Sequence, residues 1–201
     1  FESVGFRLFD LAGCEGSKTH FISLRVIDDA AEATASQFNG DLWGLYLVIE
    51  QLDGRFLDEH EMTDSNIFKM EGGSGVLKYQ ADYPALGDSS DLFEFMSTYE
   101  SGPQTEQWWR DNLDLWRYYS YRTIMMAIHH YDVAWGKNYY YFNQIAPDLW
   151  SVHPWDLDLT WTVAYGNDGE PFRDRVLPIP AFNLEYRNRV REIRDLLFNT
   201  E

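Results

Sequence analysis

The stretch 132–158, DVAWGKNYYYFNQIAPDLWSVHPWDLD, predicts a β-hairpin with polar side chains at its open end. Two runs rich in aromatic and β-branched residues, 139–142 and 149–153, are separated by a loop at 143–148, which is the pattern of two paired strands. Antiparallel pairing brings the entrance of the first strand to the same edge as the exit of the second. We therefore expect three carboxylates and one amide to meet on one rim, namely Asp132, Asn138, Asp156 and Asp158.

This set of side chains favours a magnesium site. Oxygen ligands at such density suit a hard cation such as Mg²⁺, and a carboxylate beside the metal can act as a general base. If the chain stays extended after the second strand, Asp156 and Asp158 point to one face. Their like charges then require a cation between them.

The order of these residues is also that of the protein-kinase catalytic core, in which an Asp and an Asn precede a hairpin and a metal-binding Asp follows it. The local sequence has no His-Arg-Asp and no Asp-Phe-Gly, and it resembles the CotH kinase family, the spore-coat protein H type. The resemblance rests on Asp132, on NYY at 138–140 and on PWDLD at 154–158. It extends along nearly the whole chain, through WGLYLVIEQ at 43–51, FL at 56–57 and NIFK at 66–69.

The resemblance implies an α+β fold of the two-lobed protein-kinase type. Residues 1–53 would form part of the small lobe, with its C-helix, two strands and a hinge. Residues 54–201 would form the large lobe, with the catalytic loop and the metal site. The first strands of the small lobe would be absent from this chain.

The resemblance also implies a role for each polar residue of the site. Asp132 would accept the proton of the acceptor hydroxyl. Mg²⁺ would be bound by Asp156, Asn138 and Asp158. The nucleotide would be bound by residues of several segments: Glu50 and Gln51 at the hinge, Lys69 and Lys137 near the phosphates, and Trp155 against the base.

The implied activity is transfer of the γ-phosphate of ATP to Ser or Thr of a protein. The implied setting is a bacterial spore coat, or an extracellular or cell-surface multidomain protein of a bacterium. An acidic chain suits a basic, Ser-rich substrate. Neither a glycine-rich loop nor a strand lysine precedes Phe1, so we expect weak or no phosphotransfer from these 201 residues alone. The alternatives are a non-catalytic binding or assembly module that keeps the fold, and a carbohydrate-acting domain with paired carboxylates.

Composition narrows the class of protein. Hydrophobic residues make up 45% of the chain and aromatic residues 17%, which is enough to form a core and excludes a disordered chain. The net charge of −17 argues against nucleic acid as a partner, because phosphate binding requires Lys and Arg. We also expect no membrane segment, since no window holds 18 consecutive apolar residues. The single cysteine, Cys14, excludes an internal disulfide and is expected to be a small residue just beyond a helix.

Hydrophobic periodicity and turn residues predict the remaining elements. We expect helices over 1–12, 89–99, 105–130 and 184–198, strands over 19–28 and 42–51, and loops over 29–40, 82–88 and 165–175. Strands at 67–70 and 76–79 flank a glycine run, which we interpret as a turn because it lacks the Gly-Lys-Ser/Thr ending of a phosphate loop. Three tryptophans are expected in the core: Trp108, Trp109 and Trp116.

Overall fold

A four-stranded sheet and a separate two-stranded hairpin form the β part of this α+β chain. The structure is a computed structural model that describes residues 1–29, 40–81, 89–162, 170 and 172–197. Within these residues, the α-helices are α1 (Glu2–Leu11), α2 (Gly54–Glu59), α3 (Ser90–Glu100), α4 (Glu106–Asn112), α5 (Leu115–Ala127), α6 (Arg173–Val176) and α7 (Pro180–Leu197). The strands are β1 (Thr19–Val26), β2 (Asp41–Ile49), β3 (Ser65–Glu71), β4 (Ser74–Tyr79), β5 (Tyr139–Ile145) and β6 (Asp148–Pro154).

The larger sheet joins two hairpins. Its strand order is β4-β3-β5-β6, and all pairs are antiparallel. The predicted β5–β6 hairpin is confirmed, but the predicted loop over 143–148 is wrong, because pairing continues to Ile145 opposite Asp148 and leaves a turn at 146–147. The sequence did not predict that β3 pairs with β5, which places Lys69 opposite Tyr140 near the open end of the hairpin.

The aromatic run YYYF in β5 is explained by burial on both faces of the strand. Tyr139 and Tyr141 face the main core, whereas Tyr140 and Phe142 face a second, smaller apolar cluster with Phe56. This is the two-residue alternation of a strand. A sheet that is covered on both sides needs apolar residues at successive positions rather than at every second one.

The helix predicted over 105–130 is wrong as a single element. Leu113 adopts an extended conformation and bridges to Trp150 of β6, while the main-chain N–H of Asp114 donates to the carbonyl of Trp150 at 2.8 Å. The Asp114 side chain then accepts from the N–H of Arg117 and begins α5. The helix predicted over 184–198 begins earlier, as α7 at Pro180, because proline is tolerated in a first helical turn.

Two of the three tryptophans expected in the core lie there. Trp109 is fully buried and Trp108 packs against the main core. Trp116 is 51% exposed, which corrects the expectation. The guanidinium of Arg189 covers one face of the Trp116 ring, 3.9 Å from its centroid, and makes a cation–π contact with it outside the core.

The remaining described elements follow the sequence prediction. The antiparallel pairing of β1 with β2 is confirmed, as are α1, α3 and the β3–β4 hairpin. Cys14 is buried just beyond α1, and its thiol donates to the carbonyl of Val152. Most of the loops predicted over 29–40, 82–88 and 165–175 lies outside the described residues, although residues 173–175 are helical in α6.

The α+β class is therefore confirmed and is compatible with a kinase-like fold. None of the described helices combines the length and the hydropathy needed to cross a bilayer.

Candidate active site

The polar residues singled out in the sequence flank the open end of the β5–β6 hairpin. Asp132 lies in a 3₁₀ turn, Tyr131–Val133, that follows α5. Asn138 directly precedes β5, and Asp156 follows β6 by two residues. Asn138 and Asp156 both have left-handed backbone conformations, with φ of 63° and 54°. Asn and Asp tolerate this conformation better than other non-glycine residues, and it turns the chain sharply at both sides of the hairpin.

Asp132 is fixed by two donors from the loop that follows it. Its carboxylate accepts from Nζ of Lys137 at 2.9 Å and from Nδ2 of Asn138 at 2.8 Å. The hydrogen bond to Asp132 raises the pKa of Lys137. Because the amide nitrogen of Asn138 points at Asp132, the amide oxygen is the atom of this side chain that could bind a cation.

Asp156 faces the charges of the other predicted residues. Burial raises its pKa, and the carboxylates of Asp158 and Asp132 raise it further, while Lys69 and Lys137 lower it. These side chains are thus close enough to act on one another. Within the described ranges, however, no group of three or more acidic, His or Cys side chains forms a ready cation site.

The expected extended segment after β6 is wrong. Residues Leu157–Leu159 form a 3₁₀ turn, and Asp158 is exposed whereas Asp156 is partly buried. The two carboxylates therefore do not alternate along a strand. The left-handed backbone at Asp156 is the physical reason, since it ends the extended path one residue after Trp155.

Glu2 is a site residue that the sequence analysis missed. It lies in the first turn of α1, and its pKa is raised by burial and by the carboxylates of Asp156 and Asp158. α1 thus brings a further carboxylate to the mouth of the hairpin. The sequence did contain a signal for it, because Glu2 is an acidic residue in the first turn of the segment that resembles a kinase C-helix.

His130 is a second residue whose position was missed. The sequence analysis gave it no role in the site, although it stands two residues before Asp132. The imidazole is fully buried close to the main chain of Asn138 and Trp155, and among the described residues neither ring nitrogen has a hydrogen-bond partner. Burial lowers its pKa to about 4, so the ring is neutral at neutral pH. A neutral ring in this position packs the loop before β5 against the chain after β6.

Glu50 and Lys69 are held by other ion pairs. The carboxylate of Glu50 accepts from the N–H of Lys18 and lies 2.9 Å from Nε2 of His60. Nζ of Lys69 lies 2.7 Å from Glu71. Both residues therefore have structural contacts in addition to any contact with a nucleotide.

Trp155 and Gln51 both contact Tyr140. The hydroxyl of Tyr140 interacts with the side chain of Gln51, and the Tyr140 ring packs edge-on against Trp155 with centroids 5.4 Å apart. Gln51 is exposed and Trp155 is partly buried. The three residues connect the end of β2 to the segment that bears Asp156.

The glycine turn between β3 and β4 supports the loop that bears Lys137. The turn is confirmed, with φ of 63° at Gly72 and 82° at Gly73. The N–H of Gly73 donates to the carbonyl of Gly136 at 3.0 Å. A Cβ atom on Gly136 would lie 2.7 Å from Cα of Gly73, so the two backbones can approach only without side chains.

Comparison with known proteins identifies the family of this chain. A family model described as CotH kinase protein matches residues 2–201, which is nearly the whole chain. No curated protein matches the chain.

Proposed function

The chain belongs to the CotH kinase protein family, and from this premise we propose that it transfers the γ-phosphate of ATP to Ser or Thr hydroxyls of a protein. Family membership gives a kinase-like function in general. The nucleotide, the metal, the acceptor residue and the substrate are parts of our proposal. The observation that supports them best is the fixed carboxylate of Asp132, which Lys137 and Asn138 hold near Asp156.

Asp132 is the proposed base. The acceptor oxygen forms a bond to the γ-phosphorus, the bond from that phosphorus to the bridging oxygen of ADP breaks, and Asp132 receives the hydroxyl proton. Its two donors limit the rotation of the carboxylate, so that it is oriented before the substrate binds. Lys137, 38% exposed at its side chain, is placed to contact the transferred phosphate as well.

The donor set fits a divalent cation. Asp156, Asp158 and the amide oxygen of Asn138 offer the oxygen ligands that Mg²⁺ prefers. The pKa of Asp156 is raised by burial and by the carboxylates of Asp158 and Asp132, and a cation bound here would lower it. A bound Mg²⁺ would neutralise charge on the phosphates.

The nucleotide base is proposed to lie against Trp155. Of the two hinge residues, Gln51 is the better placed, because the N–H of Glu50 already donates to the carbonyl of Lys18. We propose that Lys69 contacts the phosphates, and this is supported by its position on β3 opposite Tyr140 and by its electrostatic effect on Asp156.

The proposed substrate is a basic, Ser-rich protein. The chain has 33 acidic residues against 16 Lys and Arg, and such an excess attracts basic partners. We extend the proposal to a bacterial spore coat or an extracellular surface as the place of action.

The test uses the natural polypeptide that carries these residues, with ATP labelled at its γ-phosphate and a basic Ser-rich protein as the acceptor. We expect label on Ser or Thr, and a loss of about 10²- to 10⁴-fold in the Asp132→Asn variant, which is the usual contribution of a general base. The matched control is Asp58→Asn, at an exposed carboxylate of α2, which should retain the wild-type rate. Nucleotide binding without transfer would instead support a non-catalytic binding module.

A further inference from the structure

We propose that the groove between α3 and the β3–β4 turn binds an apolar side chain of the protein substrate, beside the residue that receives the phosphate. This inference rests on the proposed function, because it assigns part of the substrate to a surface that adjoins the candidate active site.

The groove has a volume of about 320 Å³ and a largely apolar lining. Leu92 forms its buried floor, Met96 is half-buried, and Phe93 stands at its rim with 75% of its surface exposed. Gly75 passes so close to the floor that a Cβ atom there would lie 2.1 Å from Cδ2 of Leu92. The volume is at the lower end of the range for small-molecule sites, about 300–1,000 Å³, and suits one or two side chains.

The glycine turn at one edge of this groove contacts the loop that follows Asp132. Gly73 lines the groove and also donates its N–H to Gly136, four residues after Asp132. The intervening Trp135 has 83% of its surface exposed. In this proposal, a peptide with its acceptor hydroxyl at Asp132 runs past this indole and puts a neighbouring apolar residue into the groove. Exposed aromatic groups beside a concave apolar surface are typical of binding sites.

Charge favours a basic peptide over a second copy of this chain. Glu100 lines the groove, whereas Glu71 at the end of β3 is already paired with Lys69. Two copies that each carry a net charge of −17 repel each other. A basic segment is attracted to the same surface, and one apolar residue in it would fill the groove. The substrate class is thus a basic Ser-containing segment with an apolar residue near the acceptor.

The experiment uses fluorescent basic peptides of equal length that contain one Ser and a single Leu, moved stepwise along both flanks of the Ser. Binding is measured by anisotropy without ATP. We expect the peptide with Leu at one particular position to bind about 10-fold more tightly than the same peptide with Ser in place of Leu. Burial of one Leu side chain provides enough free energy for this difference. The Met96→Lys and Phe93→Ser variants should abolish that difference.

A matched control separates this groove from exposed apolar surface in general. Leu196 on α7 is 60% exposed, and Leu196→Ser should leave the preference for Leu unchanged. In phosphotransfer, the groove variants should raise KM for the Leu peptide about 10-fold, whereas Leu196→Ser should leave this KM unchanged. Leu-independent binding, or an equal loss in Leu196→Ser, would overturn the proposal.

Two further outcomes separate this inference from the proposed function. Leu-dependent binding that is lost in Met96→Lys, together with no phosphotransfer, supports the groove and contradicts the kinase activity. The other outcome is a dimer, detected in sedimentation experiments, that Met96→Lys dissociates while the same substitution leaves peptide binding unchanged. That result assigns the groove to a second copy of the chain and overturns the proposal.

Discussion

Substitution of Gly136 by alanine should weaken the contact between the β3–β4 turn and the catalytic loop. Gly136 has a φ of 67°, and a Cβ atom there would lie 2.7 Å from Cα and 2.8 Å from N of Gly73. A left-handed alanine costs about 1–2 kcal/mol. Loss of the Gly73 N–H bond to Gly136 costs about 1 kcal/mol. Reduced entropy of the unfolded chain returns about 0.4–1 kcal/mol.

We therefore expect Gly136→Ala to lower the free energy of unfolding by about 1–2.5 kcal/mol when the contact cannot adjust. Two other glycines separate the contributions. Gly72 has a φ of 63° and open space around its Cβ position, so Gly72→Ala should cost about 1 kcal/mol. Gly102 also has open space around its Cβ position but no left-handed φ, so Gly102→Ala should leave stability unchanged or raise it slightly.

Urea unfolding of the three variants measures these differences, and phosphotransfer reports the position of the catalytic loop. Gly136→Ala should reduce kcat, because Lys137 and Asn138 follow it directly and hold Asp132. Equal stability of Gly136→Ala and Gly72→Ala would refute the argument from close approach. Wild-type kcat in Gly136→Ala would refute the claim that the turn positions the loop.

Two further predictions concern buried charge. Glu170 is buried and accepts from Tyr118 and Arg122, both at 2.7 Å, so Glu170→Ala should cost about 3–5 kcal/mol in urea unfolding. The side chain of Glu192 is 61% exposed, and Glu192→Ala should cost less than about 1 kcal/mol. Equal losses would contradict the importance of burial. Burial lowers the pKa of His153 to about 3 from an ordinary value of about 6.5, so the folded state binds this proton less readily than the unfolded state does. The free energy of unfolding therefore falls as the pH drops below about 6.5, by about 2 kcal/mol at about pH 5. The decrease between about pH 7 and pH 5 should be smaller by that amount in His153→Gln, and an unchanged decrease would show that His153 is not its source.

The sequence could predict the β5–β6 hairpin because local composition determines it. Aromatic and β-branched residues favour strands, and polar residues at 132–138 and 156–158 mark the ends of the pattern. The residues that flank the hairpin could be identified for the same reason, since antiparallel pairing fixes which ends meet.

Contacts distant in sequence could not be predicted. The break between α4 and α5 depends on the bond of Asp114 to Trp150, and the helical periodicity of 105–130 contains no signal for it. The pairing of β3 with β5 spans more than 70 residues. Glu2 reaches the site only because α1 packs near the turn at Leu157–Leu159.

The turn at Asp156 shows a different limit. Alternation predicted that Asp156 and Asp158 share a face, but a single left-handed residue changed the direction of the chain. Asp can adopt this conformation, so the sequence was compatible with either path. Tertiary contacts, such as the packing of Leu157 in the main core, select the observed one.

The central claim is that residues on both sides of the hairpin bind one magnesium–nucleotide complex, and calorimetric titration with ATP in the presence and absence of Mg²⁺ tests it most directly. We predict Mg²⁺-dependent binding that weakens about 10-fold or more in Asp156→Asn, since a charged ligand of the cation is lost, and that stays unchanged in Asp58→Asn. Equal affinity of the wild type and Asp156→Asn, or binding that does not depend on Mg²⁺, would contradict the claim.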